Sequence, residues 1–212
     1  MKEFSRRGVP VNWFVDHDVP DLSESDRQSR LKPAEISLAR KHIGIWDDFL
    51  MTEKPFCLVF EDDVFLSPNF VARLNDCIRE LTVERQAVVY LGNGGNYYTS
   101  WLILRRGRSL YPAKHSRCTD SYVLTRSAAE ARLRWFRENE FTKPSDLAVN
   151  NCDRETNTEI LWFERPIVEQ GSQNGRFKTS ISTNRGRPLW YKRLEWRWKK
   201  FRRQFSGHRV DG

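Results

Sequence analysis

The stretch that most constrains this chain is Phe56–Phe60, five apolar residues in a row that run directly into Glu61-Asp62-Asp63. A continuous apolar run of that length reads as an interior strand covered on both faces. Strands of this kind belong to sheets held between helices, where ligands gather beyond the strand ends. Three consecutive acids at such an end repel one another, and a cation relieves the repulsion. Carboxylate oxygens suit hard divalent ions such as Mg²⁺ or Mn²⁺. Taken alone, the triplet reads equally well as a solvated acidic turn ahead of the next helix.

Strand and helix signals alternate along the rest of the chain. Val9, Val11, Trp13 and Val15 alternate with other residues and predict a strand over Gly8–Val15. The acidic, serine-bearing stretch Asp16–Arg30 reads as a loop. Pro33 suits the first turn of a helix, and Ile36, Ala39, Ile43, Trp46 and Leu50 then form one apolar stripe. Ser67-Pro68 predicts a helix start carried onward by Phe70, Leu74, Cys77, Ile78 and Leu81. Ala87–Leu91 is a second buried-type strand, ending in the turn Gly92–Asn96. Short strands are predicted at Trp101–Leu104, Ser121–Leu124, Ile160–Phe163 and Ile167–Val168. Ser127 with Glu130 resembles a capping box for a helix burying Leu133 and Phe136, and Pro144-Ser145-Asp146 opens another. Alternation of this kind implies a three-layer α/β domain with a mostly parallel mixed sheet.

The length of 212 residues allows one sizeable core. The opening Met1–Arg7 meets charge before any leader-type apolar stretch, and no run is long enough to span a bilayer, so no targeting or spanning segment is expected. Cys57, Cys77, Cys118 and Cys152 form no Cys-x-x-Cys pair, which argues against structural zinc and for thiols in a reducing cytosol. The net charge of +8 belongs wholly to residues 185–212, and residues 1–184 are electrically balanced. We therefore divide the chain into a domain at 1–184 and a basic aromatic tail at 185–212.

Several segments, taken in order, resemble glycosyltransferase family 25, the lipooligosaccharide galactosyltransferases and their relatives. They are Glu35, His42 and Trp46 on one helix; Phe60-Glu61-Asp62-Asp63-Val64; Tyr90-Leu91-Gly92; Ser121–Arg126 with Ala129; Pro144-Ser145-Asp146; and Pro166-Ile167-Val168 with Gln170. The resemblance implies a GT-A-like nucleotide-sugar-binding domain, here without the strand with which the family usually begins. It implies inverting transfer of a hexose, galactose first among them, from a UDP-sugar to a saccharide of a cell-surface glycan or lipooligosaccharide on the cytoplasmic side.

The family's residues carry over onto this sequence as follows. Asp63 and Asp62 become ligands of Mn²⁺ or Mg²⁺, and Glu61 and Asp62 contact the donor. Gly92, Asn93, Tyr122 and Gln170 become further substrate contacts. Inversion in one displacement needs a base on the acceptor hydroxyl, and Asp146 and Asp120 are the candidates. Each has a plainer alternative: a helix cap for Asp146, core packing for Tyr122 and for His42, an ordinary loop at Gly92–Asn93, a strand tie for Gln170. Ser180 stands where the family tends to have an acid. With the absent first strand, it supports an alternative in which the chain is a catalytically impaired relative that binds glycan or a partner.

In the tail, Trp190, Leu194, Trp198, Phe201 and Phe205 recur at helical spacing among seven Lys and Arg residues. Such a helix suits an anionic membrane surface on the inner face of the membrane. It also suits packing of the aromatics on the domain, or, as the weakest of the three, nucleic acid. The sequence carries no signal for oligomeric state.

Overall fold

Two apolar clusters, one on each face of a five-stranded sheet, organise the chain. The computed structural model describes residues 2–94, 97–139, 142–171 and 189–206. The helices are α1 (Lys2–Arg6), α2 (Glu24–Arg27), α3 (Pro33–Leu50), α4 (Phe70–Glu80), α5 (Arg126–Glu138), α6 (Ser145–Glu155) and α7 (Leu189–Ser206). The strands are β1 (Phe56–Phe60), β2 (Val64–Leu66), β3 (Ala87–Tyr90), β4 (Leu110–Pro112), β5 (Ser121–Thr125), β6 (Glu159–Phe163) and β7 (Val168–Gln170). The main sheet has the order β1-β5-β3-β6-β4, and β2 pairs with β7 in a separate ribbon.

Alternation along the strands builds the two clusters. Val88, Tyr90, Tyr122, Leu124, Ile160 and Trp162 face α3, α5 and α6, where Trp46, Phe49, Leu133 and Val149 close the layer. Ala87, Val89, Val123, Leu161 and Phe163 face the other way, toward Phe4, Val64, Leu66, Phe70 and Cys77. The three-layer α/β arrangement follows, and the stripe on α3 lies over the sheet as its spacing predicts.

The sheet is mixed, but its parallel share is smaller than expected: of four neighbouring pairs only β3–β6 is parallel. The cause is β5, which lies reversed between β1 and β3 and separates two strands that run the same way. Phe56–Phe60 is accordingly an edge strand, although side chains on both of its faces pack against the clusters.

Other local expectations are corrected. Gly8–Val15 forms no strand: Pro10 removes a donor, Trp13 and Val15 are exposed, and no sheet edge receives the segment. Trp101–Ile103 is a 3₁₀ turn with exposed side chains. α4 begins at Phe70, after a turn at Pro68-Asn69. The cap of α5 is Thr125, whose hydroxyl accepts the Ala128 N–H, so Ser127 lies inside the helix. Among the described residues no strand precedes β1, and no helix is long and apolar enough to cross a membrane. The four cysteines are free thiols.

A buried ion pair ties the helical layer to the sheet. Arg132 of α5 donates to both carboxylate oxygens of Asp153 of α6, at 2.8 and 2.7 Å, and to the Tyr90 hydroxyl at 3.2 Å. Both charged side chains are fully enclosed. Removing one partner strands the other in a low-dielectric core. Asp153→Ala is expected to destabilise the fold by about 3–5 kcal/mol in urea or thermal unfolding. A loss under about 1 kcal/mol would show that water reaches Arg132.

Candidate active site

Strand directions determine what meets at one end of the sheet. β1 and β3 end there, and β5, running opposite to both, begins there. The residue after β1 is Glu61, the residues beyond β3 include Gly92 and Asn93, and the residue before β5 is Asp120. Backbone bonds lock this junction: the Glu61 N–H donates to the Asp120 carbonyl at 2.9 Å, and the Leu91 N–H to the Ser121 carbonyl at 3.1 Å. The short β2–β7 ribbon brings in the remaining part, with Val64 opposite Gln170. Gln170 Nε2 donates to Glu61 Oε2 at 3.1 Å, and the Gly171 N–H donates to the Asp63 carbonyl at 2.7 Å.

The resulting cluster is acidic. Burial first, and then the charge of Asp63, push the Glu61 carboxyl up to about 7, while a hydrogen bond from Thr119 Oγ1 at 3.1 Å works against the shift. Asp120 is fully buried and held well above the usual carboxylate range, by burial first and by Glu61 next. Neither of its carboxylate oxygens makes a well-formed hydrogen bond. Asp62 is exposed beside them. Asp146 is half-buried in the first turn of α6, where it accepts the Leu147 N–H at 2.8 Å, and its charge is felt at Glu61. It is not the cap of α6, a position held by Pro144.

The loop before β5 supplies residues that sequence reasoning missed. Arg117 is fully buried, its guanidinium 4.4 Å from the centre of the Trp162 ring, and burial brings its pKa down to about 9. It donates to the Phe163 carbonyl (2.9 Å), the Gly92 carbonyl (3.3 Å) and Thr99 Oγ1 (3.2 Å), so it braces the turn after β3 from behind the acids. Cys118, between Arg117 and Thr119, has a positive φ of 71°, a conformation that side chains other than glycine's rarely adopt. A cysteine gives no turn signal, and the roles of Arg117 and Thr119 come from contacts with distant strands. The glycines are needed for space: a Cβ on Gly92 would strike the Asp120 carboxylate, and one on Gly94 the Arg117 carbonyl.

The structure brings Glu61, Asp63, Asp120, Gly92, Asn93 and Gln170 together, with Asp62 and Asp146 at the margin. Asn93 donates to the Tyr98 hydroxyl at 2.8 Å, and its buried Oδ1 has no partner among the described residues. Gln170 is both a strand tie and a neighbour of the triplet. Tyr122 is the correction. It lies wholly in the helical-face core, where its hydroxyl accepts Trp46 Nε1–H at 2.9 Å and meets His42 Nδ1 at 2.9 Å, so it offers no face to a substrate. His42 is a core residue, held neutral by burial, with its pKa brought down to about 3. Ser180 lies outside the described residues.

Among the described residues, no three acidic, His or Cys side chains already form a metal cage. A Mg²⁺-type ion does not require one, since it binds through one or two carboxylates and completes its shell with water and substrate phosphates. An all-oxygen donor set fits such an ion, and so do the uncompensated oxygens of Asp120 and the raised Glu61.

The fold and site together define an α/β domain with carboxylates gathered at one end of its sheet. Comparison with known proteins narrows the class. The family model described as glycosyltransferase family 25 (LPS biosynthesis protein) matches residues 14–149, a span that holds every site residue named above except Gln170. A Haemophilus influenzae (strain ATCC 51907 / DSM 11121 / KW20 / Rd) protein named "Putative glycosyltransferase" is 27% identical over 168 residues, 71% of this chain and 55% of that protein. This chain belongs to glycosyltransferase family 25. It spans little more than half the length of that curated relative.

The raised Glu61 makes a signed prediction. Between its ordinary value of 4.5 and about 7, the folded state keeps a proton that the unfolded chain has released. The stability this group contributes is therefore present at low pH and lost as pH rises through that window. Thermal melts across the window should show a falling midpoint, and Glu61→Gln, which fixes the neutral form, should flatten the fall. An unchanged slope in the variant would place the titration elsewhere.

Proposed function

We propose that the domain transfers a hexose, galactose foremost, from a UDP-sugar to a saccharide acceptor of a cell-surface glycan or lipooligosaccharide, with inversion at the anomeric carbon. Family membership supports the sugar-transfer part of this reading. The observation that carries it to these residues is the convergence of Glu61, Asp63 and Asp120 at one sheet end, with Asp120 left without a good hydrogen-bond partner.

In this reading Asp63 and Asp62 would hold Mn²⁺ or Mg²⁺. Such an ion, when bound, supplies charge stabilisation for a departing nucleoside diphosphate. Glu61, oriented by Thr119 and Gln170, accepts hydrogen bonds from donor hydroxyls. Asp146, the more accessible of the two candidate bases, takes the proton of the acceptor hydroxyl as it attacks the anomeric carbon. Asp120, fully enclosed beside Glu61, does not reach an acceptor.

A second reading keeps the fold and gives up turnover: a relative that binds glycan or a partner enzyme. Ser180, standing where the family tends to have an acid, favours it.

A panel of UDP-sugars assayed for transfer and donor hydrolysis, with and without Mn²⁺, separates the two. The first reading expects Mn²⁺-dependent turnover that Asp63→Ala lowers by at least about a hundredfold. Asp146→Asn should lower kcat with little change in donor KM. Undiminished turnover in Asp63→Ala would sink the assignment, and donor binding without turnover would establish the second reading.

A further inference from the structure

Helix α7 turns one apolar stripe away from the domain. Leu194, Trp198 and Phe201 share one face by their spacing, and they are 57%, 65% and 58% exposed. Lys200 and Arg203 lie on the opposite face, which by its spacing also carries Leu189 and Trp196. Lys200 Nζ pairs with Glu169 of β7 at 2.5 Å, and the charge of Arg203 is felt at Tyr98. Leu194, Trp198 and Phe201 are thus turned outward. A helix that closed the domain's own core would do the reverse.

The outward stripe does not stand alone. α7 runs against the 3₁₀ turn Trp101–Ile103, whose side chains are also exposed, Leu102 to 89%. Two neighbouring segments therefore expose large apolar groups. Both carry exposed cations beside them: Arg197 and Arg202 on α7, Arg105 and Arg106 after the turn. An apolar patch of this size on a folded chain marks a surface that something covers.

We infer that this surface docks on an anionic lipid bilayer, with Trp198 and Phe201 sunk at the headgroup boundary and the flanking arginines on lipid phosphates. Charge decides the occupant. A second copy would bring the same cations against these, which repel, whereas an anionic leaflet complements them. The surface would hold the carboxylate cluster near a lipid-borne acceptor if transfer is the activity, and it binds lipid whether or not transfer occurs.

Co-sedimentation of the full chain with phosphatidylcholine vesicles, with and without phosphatidylglycerol, tests this without donor or metal. Binding is expected only with phosphatidylglycerol, and it should weaken as salt rises. Trp198→Ala with Phe201→Ala should lower it at least about tenfold. Arg197→Glu with Arg202→Glu should lower it by about thirtyfold or more. Met51→Ala, at an exposed apolar site on the end of α3, should bind as the parent does. All of these side chains are exposed, and matching far-UV circular dichroism and melting midpoints confirm that the variants fold. Equal binding to both vesicle types, no binding, or unchanged binding in the variants would overturn the inference. So would self-association in lipid-free solution that Trp198→Ala abolishes, because the cover would then be a second copy. A failed transfer assay bears on the proposed function alone.

Discussion

The reversed insertion of β5 between β1 and β3 is the constraint on which the site depends. A parallel neighbour would have presented its own carboxyl end at this face and sent the residue before it to the far side. Run backward, β5 delivers its leading residue, Asp120, into the gap between Glu61 and Gly92. Three backbone segments far apart in sequence are joined there by the ladder bonds on either side of β5 and by the bond from Glu61 to the Asp120 carbonyl. The cost is a fully buried carboxyl beside a second one, against which the nearest opposing charge is Arg117, itself occupied with three other oxygens. Burial and mutual repulsion favour the protonated forms of these carboxyls, and a positive group brought beside them would favour the ionised ones.

Much of the fold was legible because burial leaves a direct trace. β1, β3, β5 and β6 lie within a residue or so of their apolar runs, and α3 follows its stripe from Pro33 to Leu50. The errors share a cause. Gly8–Val15 alternates like a strand but has no edge to join, and Val64–Leu66 becomes a strand only because Val168–Gln170 returns beside it about a hundred residues later. Strand order has no local signature, so the reversed β5 and the edge position of β1 could not be read in advance. The site divides in the same way. The triplet was visible as a run of acids, and Asp146 and Gln170 as parts of a resemblance. The bracing by Arg117 and Thr119 was not, since neither residue type nor spacing marks an arginine that stacks on a tryptophan 45 residues onward. Tyr122 came as a substrate contact only from the resemblance, with core packing as its alternative, and two partners inside the core use up its hydroxyl.

Two enclosed arginines do different work on the two sides of this arrangement. Arg132 has a carboxylate of its own and joins two helices, so its charge is compensated locally. Arg117 has only neutral acceptors and an aromatic face, and Asp120 feels it at a distance without an ion pair. The first is a structural tie. The second leaves field to spare, directed at the carboxylates where a ligand would sit.

The packing of Gly92 against Asp120 also bears on how this chain can change over generations. Any side chain at position 92 collides with the one carboxyl that β5 brings into the site, and any side chain at 94 collides with the backbone that carries it. Drift at 92 is closed while position 120 keeps its acid, and a shrinkage at 120 opens room that 92 can then fill. The order of change is therefore set: once 92 has gained a Cβ, the acid at 120 can return only after 92 reverts to glycine.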